Sequence, residues 1–503
     1  MAQDPALPTF NAIYSFGDSL SDAGNLSLLT ALTGRTPVSP PYYSQSFGLV
    51  SGTVFSNGPT WVQNLSSALN LGTLSPSLTG GSDFAYGGAE TGATPQASNL
   101  LIQGISLPSQ IAQFKGAFFG GVSGALFTLS IGSNDLLDIF ANPGLSAQQQ
   151  ATDVAAAATN TISFVRQLAG LGAKNLLLLA VPDLGKTPVV QTGAADGTNK
   201  PSAALTAEAT QLSKLYNSTV AAQLAGVAGI NVGVIDAYTL IDSAVANPAS
   251  YGLTNVTSPV WNGNYTSSGS GSLAATGTAA QNKYLFFDAL HPTETGHLAV
   301  TTLAEQQLAG GPSAPQIVQF YANILQRAPD LAGLKYWGAQ VTAGSQTVAQ
   351  VDAQLAASPE SQVAVVPVVE LYTALGRAPD AAGLNYWVHA FAGGMSLDAI
   401  GSTFIASAEG RAIYDPAAGT NPVANAAFVK TAYQELLGRA ADTAGSDYWV
   451  GQLNAGTVVP GQVIGNFVRS PELQARDAVP VANFLIAAGN GTAIYSGSLF
   501  PSA

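Results

Sequence analysis

The 503-residue chain contains no cysteine. That absence excludes disulfides, thiolate metal sites and a cysteine nucleophile at once. Charge is also scarce. Asp, Glu, Lys and Arg make up 9% of the residues, against roughly a quarter in an average globular chain. Only 16 are Lys or Arg, against 29 Asp or Glu, for a formal net charge of -13. Nucleic acid and anionic membrane surfaces both call for a basic face, so neither is expected as a partner. Long hydrophobic runs are missing as well. None reaches the roughly 18 apolar residues that a bilayer crossing needs, and the chain reads as soluble, with no transmembrane segment. The longest run, Leu176 to Val181, has the length of a strand and stops at Pro182. The start, Met1-Ala2-Gln3-Asp4-Pro5, is not a basic end followed by an apolar stretch, so no cleaved secretory signal is expected. The acidic, cysteine-free composition, rich in Ala, Gly, Ser and Thr, matches bacterial proteins exported in one step. An extracellular or cell-surface location by a route without a cleaved signal is therefore the expectation.

What is present is apolar: 47% of the residues are hydrophobic. At roughly 100–200 residues per domain, two or three domains are expected. Short apolar runs at 12–16, 84–86, 125–131, 175–181 and 230–235 read as strands buried on both faces. Helical spacing fills 154–171 and 203–224, and strand–helix alternation predicts a parallel sheet with helices on both sides. Active sites of such sheets form beyond the strand C-termini. The Ser-, Gly- and Thr-rich stretch 256–281 reads as a long surface loop. Residues 307–315, with Gly310-Gly311-Pro312, read as a linker between a first domain at 10–306 and a second, helical one at 316–490.

Chemistry concentrates at the strand ends. After the first strand stands Gly17-Asp18-Ser19-Leu20. A serine at a strand-to-helix turn, near a helix N-terminus, suits a nucleophile; the competing reading is a helix N-cap. The chain has only three histidines. His389 lies among the repeats beside Trp387 and reads as structural, and His297 as a turn or helix-face residue. His291 follows Asp288 by three positions, a spacing that lets the carboxylate accept from the imidazole. Tyr86-Gly87-Gly88 and Gly132-Ser133-Asn134 follow the second and third strands and offer a backbone N–H and a side-chain amide to an oxyanion.

Ser19, Gly88, Asn134 and His291 match in order the four blocks of the GDSL esterase/lipase family, also called SGNH hydrolases. Phe55-Ser56-Asn57-Gly58 with Trp61, Gly81 to Ala89, Leu107 to Ile111 and Pro182 to Pro188 also resemble it, and the likeness covers about residues 10–305. Asp83 stands where the family usually has Asn. The resemblance implies a flavodoxin-like three-layer α/β/α sheet of order 2-1-3-4-5. It implies a two-step ester hydrolysis with catalytic Ser19, Asp288 and His291 and an oxyanion hole of Ser19, Gly88 and Asn134. Gly87 remains an alternative donor, although the following Ala-Glu-Thr aligns with Gly88. An ester substrate is implied; no metal and no cofactor are required.

After residue 316 one pattern occurs three times: Arg327, Asp330, Gly333, Tyr336-Trp337 and Ser358-Pro359-Glu360, then Arg377 to Glu409, then Arg439 to Glu472. Each copy reads as a small helical unit in which Arg pairs with Asp and Tyr-Trp is core. A second reading is a surface or glycan-binding module that presents its aromatics. The pattern resembles the DUF4214 type, often appended to surface-layer and secreted proteins, which implies cell-surface or polysaccharide contact. Three readings of the whole follow: a secreted carboxylic ester hydrolase, an O-acetyl polysaccharide deacetylase of the same fold, or a surface binding protein with an idle esterase site.

Overall fold

The computed structural model describes residues 4, 6–31, 37, 41–92, 105–117, 122–192, 200–263, 271–414 and 416–493. The chain divides into two compact units, 1–309 and 310–503.

The first unit is built on a parallel sheet of four strands, β1 (Ile13–Gly17), β4 (Leu126–Ser130), β5 (Asn175–Leu179) and β6 (Asn231–Ile235), in the order β1-β4-β5-β6. A separate antiparallel hairpin pairs β2 (Ser44–Phe47) with β3 (Val50–Thr53). Register aligns the C-terminal ends in one row: Gly17 opposite Ser130, Ser130 opposite Leu179, Leu179 opposite Ile235. The segment expected as the second strand runs along the outer edge of β1, with Ser15 N–H to Ser82 C=O, Phe84 N–H to Ser15 C=O and Tyr86 N–H to Gly17 C=O. Its pairing with β1 amounts to a single bridge, Ser15 to Asp83, rather than a full ladder. The three-layer α/β order is therefore present, with a short outer position.

One face of the sheet carries Phe16, Phe127, Leu129, Leu176 and Leu178. These are buried with apolar residues of the helices Leu107–Ala117, Ala147–Gly170 and Ala203–Leu224. Ser146 caps the second of these in a capping box with Gln149. Toward the other face lies the helix Glu294–Gly310, whose Gln307 stands against Gly233 of β6. This helix runs through the first part of the expected linker, and a 3-10 turn (Gly311–Ser313) leads directly into the helix Ala314–Ile324. Among its described residues the stretch 256–281 is exposed or half-exposed, as its composition suggests, except at one position. Val260 is fully buried with Tyr42 and Phe287, while residues 264–270 lie outside the described ones.

The second unit is helical throughout its described residues. In each copy the Arg guanidinium lies over a tyrosine of the opening helix, Tyr321, Tyr372 or Tyr433, at 5.0, 5.1 and 5.0 Å from the ring centre. Its main partner is the glutamate of the Ser-x-Glu step, Glu360, Glu409 or Glu472, in a two-pronged ion pair. The expected Arg–Asp pair is looser, at 3.7 Å for Arg377–Asp380 and 3.5 Å for Arg439–Asp442. The aspartate instead caps the next helix, accepting from the N–H of Gly333, Gly383 or Gly445. The Tyr-Trp pair is not all core. Tyr336, Tyr386 and Tyr448 are more than half exposed. The tryptophans are half-buried, each meeting its tyrosine edge-on at 4.8–4.9 Å.

Candidate active site

β1 ends at Gly17 with φ 131, and a Cβ there would lie 1.9 Å from the Ser130 carbonyl oxygen. Only glycine lets the chain leave the sheet this close to β4. The amide of Gln110 fixes the turn by accepting from Gly17 N–H and donating to Gly17 C=O, both at 2.8 Å. Ser19 follows and is nearly buried. It is not a helix cap, and the helix-dipole argument does not apply to it. The first helix, Asn25–Leu29, starts later, and Asp22 takes the N–H groups of Gly24, Asn25 and Leu26.

Ser19 Oγ lies 2.8 Å from His291 Nε2. His291 Nδ1 lies 2.9 and 2.8 Å from the two oxygens of Asp288. A carboxylate only accepts, so Nδ1 carries the proton and Nε2 is left to accept from the serine hydroxyl. Asp288 Oδ1 also accepts from the N–H groups of Leu290 and His291, at 2.8 and 2.7 Å. The histidine segment is clasped by residues 55–58. Phe55 lies against the imidazole at 4.6 Å between ring centres. Ser56 donates to Pro292 C=O at 2.9 Å, and Asn57 Oδ1 accepts from Glu294 N–H at 2.8 Å, capping the helix that follows.

Two of the proposed oxyanion donors, Gly88 on a loop and Asn134 in the first turn of the helix Ser133–Phe140, belong to segments that are tied together. Asn134 Nδ2 donates to Ala89 C=O at 2.9 Å, and Thr91 donates its hydroxyl to Asp135 at 2.6 Å. Gly87 N–H is already engaged, donating to the buried Asp22 carboxylate at 2.8 Å. The N–H groups of Gly88 and Ser19 have no hydrogen-bond partner among the described residues.

Sequence patterns gave no sign of several neighbours. Asp18 is buried between the N–H of Leu20 and the hydroxyl of Ser130. Burial raises its carboxyl to about 7, partly offset by those hydrogen bonds and by His291 nearby. His297 lies on the helix Glu294–Gly310, on a buried face, and its Nδ1 accepts from Trp61 N–H at 3.2 Å. Burial, and next the charge on His291, hold it down to about 3. Tyr42 reaches Asp288 from 246 positions away. His389, in the second unit, is exposed and bonds Asn385 C=O in its own helix. Among the described residues no group of three or more His, Asp or Glu is placed to hold a metal ion.

A pocket opens beside Ser19, Asn134 and His291. Its walls are largely apolar, with Leu240, Ile241, Ala244, Leu253, Phe286 and Val300 among them. Among the described residues no helix is long and apolar enough to cross a membrane.

A family model described as GDSL-like lipase/acylhydrolase matches residues 13–303. A second, the DUF4214 domain of unknown function, matches 303–365 and 401–476. The chain is similar to an acetylesterase of Thermothelomyces thermophilus, 30% identical over 263 residues that make up 49% of this chain and 76% of that protein. It is also similar to a phosphatidylcholine-sterol acyltransferase of Aeromonas hydrophila, at 28% over 51% and 68% of the two chains. A GDSL esterase/lipase of Arabidopsis thaliana is 26% identical over 60% and 90%.

Proposed function

The chain belongs to the GDSL-like lipase/acylhydrolase family and is a serine carboxylic ester hydrolase; from that premise we propose that it works through an acyl-enzyme on Ser19. Ser19 Oγ attacks the ester carbonyl as His291 Nε2 takes its proton, and Asp288 holds the imidazole and stabilises the imidazolium. The oxyanion is received by the N–H groups of Ser19 and Gly88 and by the side-chain amide of Asn134. His291 gives the proton to the departing alcohol. Water then adds to the acyl carbon by the same route, releasing the acid and restoring Ser19. The observation that carries this reading is the unbroken hydrogen-bonded row from Ser19 through His291 to Asp288, with contacts of 2.8 Å on each side of the ring. Gly88 is favoured over Gly87 because Asp22 already holds the Gly87 N–H.

The apolar walls beside Ser19 support an aliphatic acyl group longer than acetyl. Each methylene that enters such a pocket is worth about 0.8 kcal/mol, or roughly fourfold in kcat/KM. A series of p-nitrophenyl esters from acetate to palmitate tests this. The expected result is a rise from acetate to a chain of intermediate length. The similarity to an acetylesterase keeps deacetylation of a polysaccharide as the second reading, and turnover confined to acetate would select it. Failure of a fluorophosphonate probe to label the folded protein would overturn the acyl-enzyme reading and leave the idle-site alternative.

On this reading the enzyme works outside the cell, and its repeat unit is the surface or polysaccharide contact. The cysteine-free composition and the DUF4214 match support that. Activity found only in lysates of cells whose surface had been shaved with protease would overturn it.

A further inference from the structure

Asp288 has one more partner, from a segment to which neither the chemistry nor the fold has so far given a role. The Tyr42 hydroxyl donates to Asp288 Oδ2 at 2.8 Å, with both side chains buried. The tyrosine ring meets Phe287 edge-on at 5.1 Å and Phe55 at 6.2 Å, and Val260 shares its cluster. Its backbone is anchored next door, where Tyr43 N–H donates to Ser56 C=O at 2.8 Å and Val54 N–H to Tyr43 C=O at 3.0 Å. Packing and backbone together hold the O–H group in place against the carboxylate.

We propose that Tyr42 is a positioning residue for the hydrolysis, acting through Asp288. Its hydroxyl holds the carboxylate facing His291 Nδ1, and it takes up part of the negative charge that would otherwise favour the imidazolium. The two oxygens of Asp288 differ in what keeps them in place. Oδ1 is held by two backbone N–H groups, while among the described residues Oδ2 receives Tyr42 alone besides the ring. Without the Tyr42 hydroxyl, Oδ2 loses its one anchor outside the ring, and turnover falls. The carboxylate also keeps more charge in a buried place, so the imidazolium forms more readily and the enzyme needs a higher pH to free its base. Among the described residues, the other titratable groups that act on or are acted on by His291 include Asp18, on the turn after β1, and His297, on the helix Glu294–Gly310. Both stay in place in a Tyr42 variant, so a changed profile is assignable to the lost hydroxyl.

The proposal rests on the acyl-enzyme reading above, and the test separates the two. Tyr42→Phe is expected to lower kcat roughly tenfold, with KM within about twofold, as loss of a hydrogen bond to a charged group predicts. The acidic limb of its kcat/KM profile should move up by about one pH unit. Added to Asp288→Asn, the same change should cost little, because its route of action is already gone. 3-Fluorotyrosine placed at position 42 alone keeps the ring and strengthens the donor, and should move the limb the other way. A folded Tyr42→Phe protein with unaltered kcat and an unmoved limb would overturn the proposal, as would full additivity with Asp288→Asn. If Tyr42→Phe does not fold, an unmoved limb in the fluorotyrosine protein overturns it equally. Loss of fluorophosphonate labelling in the unmodified enzyme is a different failure and would undo the hydrolase mechanism itself.

Discussion

The site of the first unit and the repeated cluster of the second are made from the same kinds of group and behave in opposite ways. Each sets a basic side chain against a carboxylate and an aromatic ring: His291 with Asp288, Tyr42 and Phe55 in one, Arg with Glu and Tyr in the other. In the site the partners are buried and present once. In the repeats they occur three times, and the arginine side chains are 23–40% exposed. Water screens an exposed pair and leaves it worth about 0.2–1 kcal/mol. Burial takes solvation away, and protonation then depends on a few named neighbours. Asp18 raised to about 7 and His297 held down to about 3 are products of that loss. Burial ties the protonation of these groups to their neighbours in the first unit, and exposure leaves the pairs of the second screened by water.

The hardest test of this contrast is Ser19→Ala or His291→Ala. Either should lower ester turnover by about 10⁴-fold or more while the protein stays folded. A Ser19→Ala protein that turns over at the original rate would end the comparison. Asn134→Ala should lower kcat by about 10²–10³. Part of that loss would come from freeing the Ala89 loop that the amide now holds, and saturation kinetics on one ester would measure it.

His297 sharpens the contrast along the pH axis. Its folded value, about 3, lies below the ordinary 6.5. Its contribution to stability is therefore complete above about 6.5 and drains away as the pH falls toward 3, because the unfolded chain binds the proton first. His297→Asn, which keeps an acceptor for Trp61 N–H, should remove that slope, a difference on the order of 3 kcal/mol at pH 4. Urea unfolding at pH 7 and pH 4 would show it, and parallel pH dependences of the two proteins would refute it. At the small end, Arg439→Ala should cost less than about 1 kcal/mol and leave esterase kinetics unchanged. The less exposed Arg377 should matter more than Arg439, and equal melting shifts for the two would blunt the contrast.

What was legible in the sequence was short in range. Apolar runs of strand length gave the sheet, a period of recurring Arg and Trp gave the repeats, and the three-residue step from Asp288 to His291 lies within one turn of chain. The rest depends on distant partners. Nothing near Tyr42 hints at a carboxylate 246 residues away. The choice between Gly87 and Gly88 turns on Asp22, 65 positions earlier. The true partner of each repeat arginine lies 32 or 33 residues downstream, and the adjacent aspartate, which looked like the partner, serves as a helix cap. Composition was right about the stretch 256–281 as a mostly exposed loop, but gave no sign that Val260 fills the space beside Tyr42.

Ser19 and His291 stand 272 positions apart, at opposite ends of the first unit, and the segment that clasps the histidine is itself drawn from residues 55–58. A chain still emerging from the ribosome, or one cut short before residue 291, holds a serine with no base beside it. On the acyl-enzyme reading, ester cleavage therefore begins only when the last stretch of this unit has closed onto the first.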